Sequence, residues 1–553
     1  MPSLTLLQKL RVDYRPKLPK VLQQLDALVA TNAPDQVHSK VASEILSYFP
    51  ILFNQPILSF SSQTAIKHQP KRVGVVLSGG QAAGGHNVII GLHDALKKLH
   101  PKSCLFGFKN GPNGIVNNQL IELTSELLNA YRNQGGFDLI GSGRTKIESA
   151  EQFQAALNTV QALDLDGLVI IGGDDSNTNA ALLAEYFLQK GCKTKVVGVP
   201  KTIDGDLKNE QIEISFGFDT ASKIYSEIIG NLMRDTLSAQ KSYYFIKLMG
   251  RAASHLNLEC ALQTHPNLAL ISEELAADQM TLQDVIEKIA DLICKRALLG
   301  KEYGVILIPE GVIEFIPEFK QLIEALNELL APGQLHAAEM DALTTLSEKV
   351  KYIHKKLEKS SADCFERIPA EIQTQLLLDR DPHGNVQVAK IETERLLIEM
   401  VKQELKKRKS SGKYVGKFSA QPHYCGYEGR SGMPSNFDAQ YCYALGYVAA
   451  LLIESGATGY MSCVQHLTKP VEEWTIVGIP LVSMMAMEQR RGKSKPVIRK
   501  ALVDLKGSLF KAFKEQRDAW ALEDAYRFTG PMQFFGPPEL TEAITFTLAY
   551  EHA

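Results

Sequence analysis

The chain has 553 residues, with 60 lysines and arginines against 62 aspartates and glutamates, and 45% of its residues are hydrophobic. These values are ordinary for a globular protein, and a net charge of -2 gives no indication of a nucleic-acid-binding surface. The longest unbroken apolar run, Tyr443 to Ile453, is shorter than the ~18 residues that a membrane-spanning helix needs. We therefore expect an extensive core, no bound nucleic acid and no membrane span.

The N-terminal residues and the cysteines both indicate a cytoplasmic protein. Lys9, Arg11 and Asp13 interrupt the first apolar stretch, so the N-terminus is not typical of a secretory signal. The eight cysteines are scattered, without a C-x-x-C pair or a histidine at metal-binding spacing. We interpret them as reduced thiols rather than as disulfides or zinc ligands.

The first part of the chain predicts a helical arm followed by an α/β domain. Residues 1–68 carry leucines at helical spacing, interrupted by Pro16 and Pro19, which predicts a peripheral N-terminal helical arm. From residue 69, short β-branched runs each end in a glycine or a turn and are followed by a helical pattern. This repetition is typical of a parallel α/β sheet. We expect residues 69–240 and about 435–553 to form the larger domain.

A second set of strand-like runs predicts a smaller α/β domain over residues 241–434. Residues 314–410 are charged and helical without a strand-like run, so they predict a helical insertion in that domain. The expected fold class is therefore α/β, with two Rossmann-like parallel-sheet domains, a helical insertion and terminal extensions. A basic cluster near the C-terminus is more typical of a solvated surface than of a site, and it comprises Arg490, Arg491, Lys493, Lys495, Arg499 and Lys500.

Ligands of open parallel sheets bind beyond the carboxyl ends of the strands, so the loops after successive strands of the larger domain should line one crevice. The first loop, SGGQAAGGHN, places Gly79 and Gly80 at a strand end. Absent side chains would let main-chain N–H groups approach a phosphate there. A tight strand-to-helix turn would explain the same glycines.

The next two loops carry carboxylates. GGDDSNTN sets Asp174 and Asp175 after two glycines, where a carboxylate would bind Mg²⁺ together with substrate phosphates. Capping of the following helix is the structural alternative. In PKTIDGD, Lys201 is followed by Asp204 and Asp206, whose mutual repulsion is tolerated mainly near cations or in a proton-transfer role.

Together the three loops predict phosphoryl transfer, which depends mostly on positioning and on cations around the moving phosphate. The ordered motifs GGDDS, PKTIDGD, MGR, PEG and YEGR closely resemble the pyrophosphate-dependent 6-phosphofructokinase family, in its long form, over about residues 70–460. The resemblance implies reversible transfer from pyrophosphate to the 1-hydroxyl of fructose 6-phosphate, with Mg²⁺ as cofactor. It also implies a cytoplasmic enzyme of glycolysis and gluconeogenesis, forming a homodimer or higher homo-oligomer with shared active sites.

The resemblance implies a role for each motif. Asp204 would be the general base that takes the proton from the sugar hydroxyl, and Lys201 and Arg251 would share the developing charge. Asp174 would associate with Mg²⁺. The residues that would contact pyrophosphate are Gly79, Gly80 and Arg144. A solvated loop would also account for Arg144.

The implied contacts to fructose 6-phosphate come from both predicted domains. They are Thr202, Ile203, Asp204, Lys241, Ser242, Met249, Gly250, Arg251, Glu310, Tyr427, Glu428, Gly429 and Arg430. Lys241 and Ser242 would reach the site of a neighbouring subunit. Arg430 and its neighbours would form the pocket for the 6-phosphate, to which an arginine fork is suited.

Two positions bear on the phosphoryl donor, because ATP-using relatives carry glycine where this chain has Asp175 and Lys201. The Asp175 carboxylate would exclude the α-phosphate of ATP, and Lys201 would neutralise pyrophosphate. The alternatives are an ATP-dependent phosphofructokinase and a regulatory, non-catalytic subunit of a hetero-oligomer, although intact Asp204, Lys201, Asp174 and Arg251 argue against such a subunit. A nucleotide-binding module with a GGD loop would leave MGR and YEGR unexplained.

Overall fold

The structure is a computed structural model and describes residues 4–33, 43–63, 67–331, 335–378, 386–490 and 493–552. It divides into two compact units. Unit 1 comprises Met1–Ile224, Tyr427–Ala501 and Met532–Ala553, and unit 2 comprises Tyr225–Gly426 and Leu502–Pro531. Among the described residues, no helix is both long and apolar enough to cross a membrane.

The strands of the described residues are β1 (Leu28–Asn32), β2 (Leu58–Ser62), β3 (Arg72–Leu77), β4 (Cys104–Phe108), β5 (Leu120–Glu122), β6 (Gly167–Gly172), β7 (Lys195–Pro200), β8 (Tyr243–Leu248), β9 (Leu268–Ala269), β10 (Gly304–Pro309), β11 (Ala420–Cys425), β12 (Tyr460–Gln465), β13 (Thr475–Pro480), β14 (Met485–Arg490) and β15 (Lys493–Ile498).

The α-helices are α1 (Leu6–Asp13), α2 (Lys20–Gln23), α3 (Gly85–Leu99), α4 (Pro112–Val116), α5 (Ser125–Asn129), α6 (Ala150–Ala162), α7 (Asp174–Gln189), α8 (Phe218–Ala239), α9 (His255–Thr264), α10 (Ser272–Ala277), α11 (Leu282–Leu298), α12 (Pro317–Leu329), α13 (Leu335–Asp341), α14 (Leu346–Lys356), α15 (Lys359–Arg367), α16 (Ala370–Leu378), α17 (Thr393–Ser410), α18 (Glu428–Ser431), α19 (Asn436–Glu454), α20 (Ser508–Leu522), α21 (Pro538–Thr541) and α22 (Phe546–Glu551). Short 3₁₀ turns occupy Leu25–Ala27, Ser43–Ser47, Val312–Phe315, Val388–Lys390, Val471–Glu473 and Leu481–Met484.

Unit 1 is built on a sheet with the strand order β1-β2-β13-β12-β7-β6-β3-β4-β5. The neighbours from β12 to β4 pair in parallel, and the remaining pairs are antiparallel. β6 is apolar and buried along its whole length, as expected for a parallel strand with helices on both faces of its sheet. Helices α3 and α19 cross closely, since a Cβ on Gly91 would lie 2.2 Å from the carbonyl oxygen of Tyr443.

The described part of the N-terminal segment corrects the prediction of a helical arm over residues 1–68, of which residues 1–3, 34–42 and 64–66 lie outside the described residues. It contains α1 and α2, but β1 and β2 form an antiparallel pair that joins the large sheet through β13. The β-branched residues of LVATN and the alternating apolar and polar residues of LSFSS are typical of strands. Arg11 of α1 is fully buried and donates to Asn436 Oδ1 at 2.8 Å and to the carbonyl oxygen of Pro434 at 3.0 Å. The segment is therefore part of unit 1.

Unit 2 contains a smaller sheet with the order β11-β8-β10-β9, in which every pair is parallel. Helices α12 to α17 lie in the stretch predicted as a helical insertion. Their apolar side chains, such as Phe319, Phe365 and Leu396, share one buried cluster with Tyr243 and Phe245 of β8. The insertion therefore packs into the core of unit 2.

The unit boundaries differ from the predicted ones at three places. Residues 225–240 belong to unit 2 and not to the larger domain, where the sequence predicts them. Leu502–Pro531 belongs to unit 2 rather than to the larger domain. Arg517 of α20 makes two 2.7 Å hydrogen bonds to Glu274, and Trp520 stacks on His265 at a ring distance of 4.1 Å. The third difference is the YEGR motif, which belongs to unit 1 and not to the smaller domain.

Candidate active site

The three carboxyl-end loops of unit 1 lie together, because β3, β6 and β7 are neighbouring parallel strands. Ser176 donates from its hydroxyl to the hydroxyl of Ser78 at 2.8 Å, which joins the second loop to the first. The main-chain N–H of Lys201 donates to the carbonyl oxygen of Gly172 at 3.0 Å, which joins the third loop to the second. The loops therefore form one continuous surface.

Cationic side chains surround the glycines of the first loop. A Cβ on Gly79 would lie 3.4 Å from Lys201 Nζ. A Cβ on Gly80 would lie 3.1 Å from Arg430 Nη1 and 3.5 Å from Arg144 Nη2. A tight turn explains the φ of +87° at Gly79 but not the three positive charges. The arrangement suits an anion that approaches the main chain closely.

Lys201 is the buried cation of this group, with 5% of its surface exposed. Its ammonium donates to the carbonyl oxygen of Gly80 at 2.8 Å. Burial, followed by the positive charge of Arg430, lowers the pKa of Lys201 to about 8. An anionic ligand strongly stabilises the charge of a poorly solvated ammonium, so Lys201 is placed to bind an anion at neutral pH.

The carboxylates of the third loop have different surroundings. The main-chain N–H of Asp204 donates to Thr202 Oγ at 3.1 Å, and the Thr202 hydroxyl donates to Asp206 Oδ1 at 3.0 Å. Asp206 is buried, and burial together with the charges of Asp204 and Asp174 raises the pKa of Asp206 to about 7. Asp204 is partly exposed and lies 3.9 Å from Arg430 Nη2. Asp204 is therefore the more accessible carboxylate.

Asp174 and Asp175 occupy the first turn of α7, whose N-cap is Gly173 without a side-chain capping bond. Asp174 Oδ2 is buried without a hydrogen-bond partner, and Lys500 Nζ lies 3.6 Å from it. The part of the chain that the structure describes contains no group of three or more metal-ligating side chains. A carboxylate with one buried oxygen that accepts no hydrogen bond fits Mg²⁺, which keeps waters and takes most of its other ligands from phosphates.

Asp175 differs from its neighbour because it is nearly half exposed. Its Oδ1 accepts a hydrogen bond from Lys146 Nζ at 3.0 Å, and this ion pair was not anticipated from the sequence. Lys146 therefore offsets part of the negative charge that would repel ATP. The ion pair does not remove the bulk of the Asp175 side chain, which still occupies space at the start of α7.

The YEGR motif contributes to the unit 1 loops. Arg430 donates to the carbonyl oxygen of Gln81 at 3.0 Å, and the Ser431 hydroxyl donates to Gln81 Oε1 at 3.0 Å. Gly429 is buried, whereas Tyr427 and Glu428 are exposed. These contacts to the glycine loop are the reason why the motif belongs to unit 1.

The MGR and PEG motifs lie together at the carboxyl edge of the sheet in unit 2. Gly250 has a φ of +127°, and its N–H donates to Glu310 Oε2 at 3.0 Å. A Cβ on Gly311 would lie 2.1 Å from the carbonyl oxygen of Arg251, so only glycine fits there. Met249 and Glu310 are buried, and the Arg251 side chain is exposed. The MGR and PEG motifs of unit 2 are thus held against one another through their main chains.

Two of the predicted sugar contacts lie elsewhere, and a third lies in the third loop but is buried. Lys241 and Ser242 precede β8 and so lie at the opposite end of that strand from Met249. Ser242 donates from its hydroxyl to Ser419 Oγ at 3.3 Å, and Lys241 is exposed. Their contact with a neighbouring subunit stays a prediction. The Ile203 side chain is fully buried, so only its main chain would be available to a substrate.

Comparison with known proteins identifies similar chains. Residues 72–453 match the family described as Phosphofructokinase. The chain is 50% identical over 542 residues to pyrophosphate–fructose 6-phosphate 1-phosphotransferase of Porphyromonas gingivalis, covering 98% of each chain. It is 53% identical over 533 residues to subunit beta 2 of the Arabidopsis thaliana protein of that name, covering 96% of this chain and 91% of the relative.

The fold is also similar to that of a solved structure. The crystal structure of pyrophosphate-dependent phosphofructokinase from Nitrosospira multiformis superposes with a TM-score of 0.54 and 16% sequence identity, covering 85% of this chain and 96% of that chain. At this identity the similarity concerns the fold alone. It confirms the α/β fold class that the sequence predicts.

Proposed function

Because the chain belongs to the phosphofructokinase family, we propose that it transfers a phosphoryl group from pyrophosphate to fructose 6-phosphate. The products are fructose 1,6-bisphosphate and orthophosphate, and the reaction is reversible. The observation that carries the choice of donor is buried Lys201 beside Gly80. The family resemblance implies glycine at this position in ATP-using relatives. Two relatives of about half-identical sequence also carry pyrophosphate in their names.

The unit 1 loops supply the chemistry of transfer. Asp204 accepts the proton of the sugar 1-hydroxyl as that oxygen forms its bond to phosphorus. The bridging P–O bond of pyrophosphate breaks in the same step, and orthophosphate leaves. Lys201, Arg144 and Arg430 stabilise the negative charge around Gly80. The proton on Asp204 then passes to phosphate or to water.

Asp174 is the residue that would hold Mg²⁺, since its Oδ2 is buried and without a hydrogen bond. The ion would neutralise charge on the phosphates of the donor. Met249, Gly250 and Arg251 would contact the sugar phosphate, with Glu310 fixing the main chain at Gly250. These roles follow from the family motifs.

We also propose a cytoplasmic homo-oligomer. The eight cysteines are free thiols. Lys241 and Ser242 lie beyond the amino end of β8, away from the MGR motif that follows its carboxyl end. This placement favours their contact with another copy of the chain.

A coupled assay of the whole protein tests the proposed function. Fructose 1,6-bisphosphate formation should be supported by pyrophosphate and not by ATP at equal free Mg²⁺. Preference for ATP would instead establish the ATP-dependent alternative, and no turnover with either donor would favour a regulatory subunit.

Arg430 should affect both substrates, because its guanidinium lies against Gly80 and 3.9 Å from Asp204. We expect Arg430→Ala to lower kcat by about 10²-fold and to raise the KM for pyrophosphate as well as for the sugar. Steady-state kinetics with each substrate varied separately will measure this. A rise in the KM for fructose 6-phosphate alone would instead assign Arg430 to the 6-phosphate.

Asp175→Gly should admit ATP weakly, because it removes side-chain bulk and a carboxylate from the start of α7. Lys146→Met is the matched control, since it removes the partner of Asp175 and leaves the carboxylate in place. We expect the control to retain its preference for pyrophosphate. Unchanged donor preference in Asp175→Gly would show that this side chain does not exclude ATP.

A further inference from the structure

A lysine outside the family-matched residues lies at the donor loops of unit 1. Lys500 Nζ is 3.6 Å from Asp174 Oδ2, whereas the family match ends at residue 453. The same ammonium opposes the rise that burial causes in the pKa of Asp206. Lys500 thus acts on carboxylates of both the second and the third loop. It belongs to the basic cluster for which the sequence favours a solvated surface, and Arg491 of that cluster lies outside the described residues.

The main chain around Lys500 is fixed to the same loops. The Ile498 N–H donates to Thr178 Oγ of α7 at 3.0 Å. On the other side of the lysine, the Ala501 N–H donates to the carbonyl oxygen of Asp206 at 2.7 Å. These bonds hold Lys500 between the helix that begins at Asp174 and the loop that contains Asp206. Its position is therefore determined by the fold and not by a surface charge run.

The contact with Asp174 is not a direct charge-assisted hydrogen bond, which would measure about 2.7–2.9 Å. The lysine is 35% exposed and Asp174 is 17% exposed at the side chain. The ammonium is therefore accessible to an anion at the surface of the loops. Lysine, with its flexible stem, can orient its charge toward such an anion.

Three other cations approach the first loop rather than the second. Lys201, Arg144 and Arg430 all approach Gly79 or Gly80 of the first loop. At the second loop, Lys146 is engaged by Asp175. Pyrophosphate carries negative charge on both of its phosphates, so a donor lying across these loops presents charge at each end.

We propose that Lys500 is a pyrophosphate-binding residue, which counters the donor phosphate near Asp174 while Lys201 counters charge near Gly80. This assignment rests on the proposed function. It gives the C-terminal segment of unit 1 a direct part in donor recognition, and it extends the donor site beyond the motifs of residues 72–453.

The test is isothermal titration of the full-length enzyme with magnesium pyrophosphate, without the sugar. We expect Lys500→Met to weaken binding by about tenfold or more, because a charge-assisted contact is lost. Arg499→Met is the matched control, since Arg499 is exposed and the substitution removes the same charge one residue earlier. Binding to this control should stay within about twofold of wild type. Lys500→Arg should retain most of the affinity, which a merely structural role would not require.

Each outcome decides the assignment. If the wild type binds tightly and Lys500→Met binds with the same affinity, the assignment of Lys500 is overturned and the proposed function is not. Equal losses of affinity in Lys500→Met and Arg499→Met would also overturn the assignment only. A wild-type enzyme that does not bind magnesium pyrophosphate would overturn the proposed function as well. If Lys500→Met unfolds at a lower temperature than the wild type, Lys500→Gln with an unchanged melting temperature supplies the same comparison. In either variant the KM for fructose 6-phosphate should stay unchanged.

Discussion

Replacing Asp204 by asparagine should lower kcat by about 10²- to 10⁴-fold, with little change in either KM. The substitution keeps the shape of the side chain and removes the group that accepts the hydroxyl proton. The contact of Asp204 Oδ1 with Arg430, at 3.9 Å, is long, so little binding energy depends on it. Steady-state kinetics with both substrates, at one pH and one free Mg²⁺ concentration, will measure the effect.

Asp206→Asn is the control for this prediction, because it changes the neighbouring carboxylate, which is buried and bonded to Thr202. Its loss of kcat should be roughly tenfold or less, well below the loss for Asp204→Asn. In the wild type, kcat/KM should rise with pH near 7, where burial and the charge of Asp204 place the pKa of Asp206. Asp206→Asn should move that rise to lower pH. A kcat for Asp204→Asn within threefold of wild type would exclude Asp204 as the base.

Lys201→Met should lower kcat/KM for pyrophosphate by about 10²- to 10³-fold and leave the KM for fructose 6-phosphate nearly unchanged. Methionine fills the buried space without the ammonium that contacts Gly80. The loss follows from the cost of leaving donor charge without a partner in a poorly solvated site. Kinetics with pyrophosphate varied at saturating sugar will measure it.

The pH profile distinguishes a charge effect from a packing effect at this position. Because burial lowers the pKa of Lys201 to about 8, the ammonium loses its proton as pH rises through that value. The wild-type kcat/KM for pyrophosphate should therefore fall above about pH 8, and this fall should be absent from the small residual activity of Lys201→Met. An unchanged alkaline limb in the variant would show that another group causes it.

The strand-end loops illustrate what could be predicted from sequence. Parallel strands place their carboxyl ends at one edge, so the assignment of GGDDS and PKTIDGD to one surface required only that the strands be recognised. The hydrogen bond from the Lys201 N–H to the Gly172 carbonyl oxygen joins these loops in the structure. The roles of their residues stay predictions that the variants above will test.

The contacts that sequence reasoning missed join segments far apart in the chain. Lys500 lies near Asp174 because the end of β15 is bonded to α7 and the residue after Lys500 is bonded to the Asp206 loop. No spacing within the sequence indicates this. Residues Leu28–Asn32 escaped recognition as β1 because the helical leucine pattern runs directly into them. Tertiary contacts with Gln81 likewise place the YEGR motif in unit 1.

The central claim is that one phosphoryl group of pyrophosphate is transferred to the sugar 1-hydroxyl, and ³¹P NMR of the uncoupled reaction tests it most directly. With fructose 6-phosphate, magnesium and enzyme, the pyrophosphate signal should decline while orthophosphate and a new phosphate ester on carbon 1 grow in equal amounts. Fructose 1,6-bisphosphate with orthophosphate should regenerate pyrophosphate. Growth of orthophosphate without the carbon 1 ester, or ester formation that requires ATP, would contradict the claim.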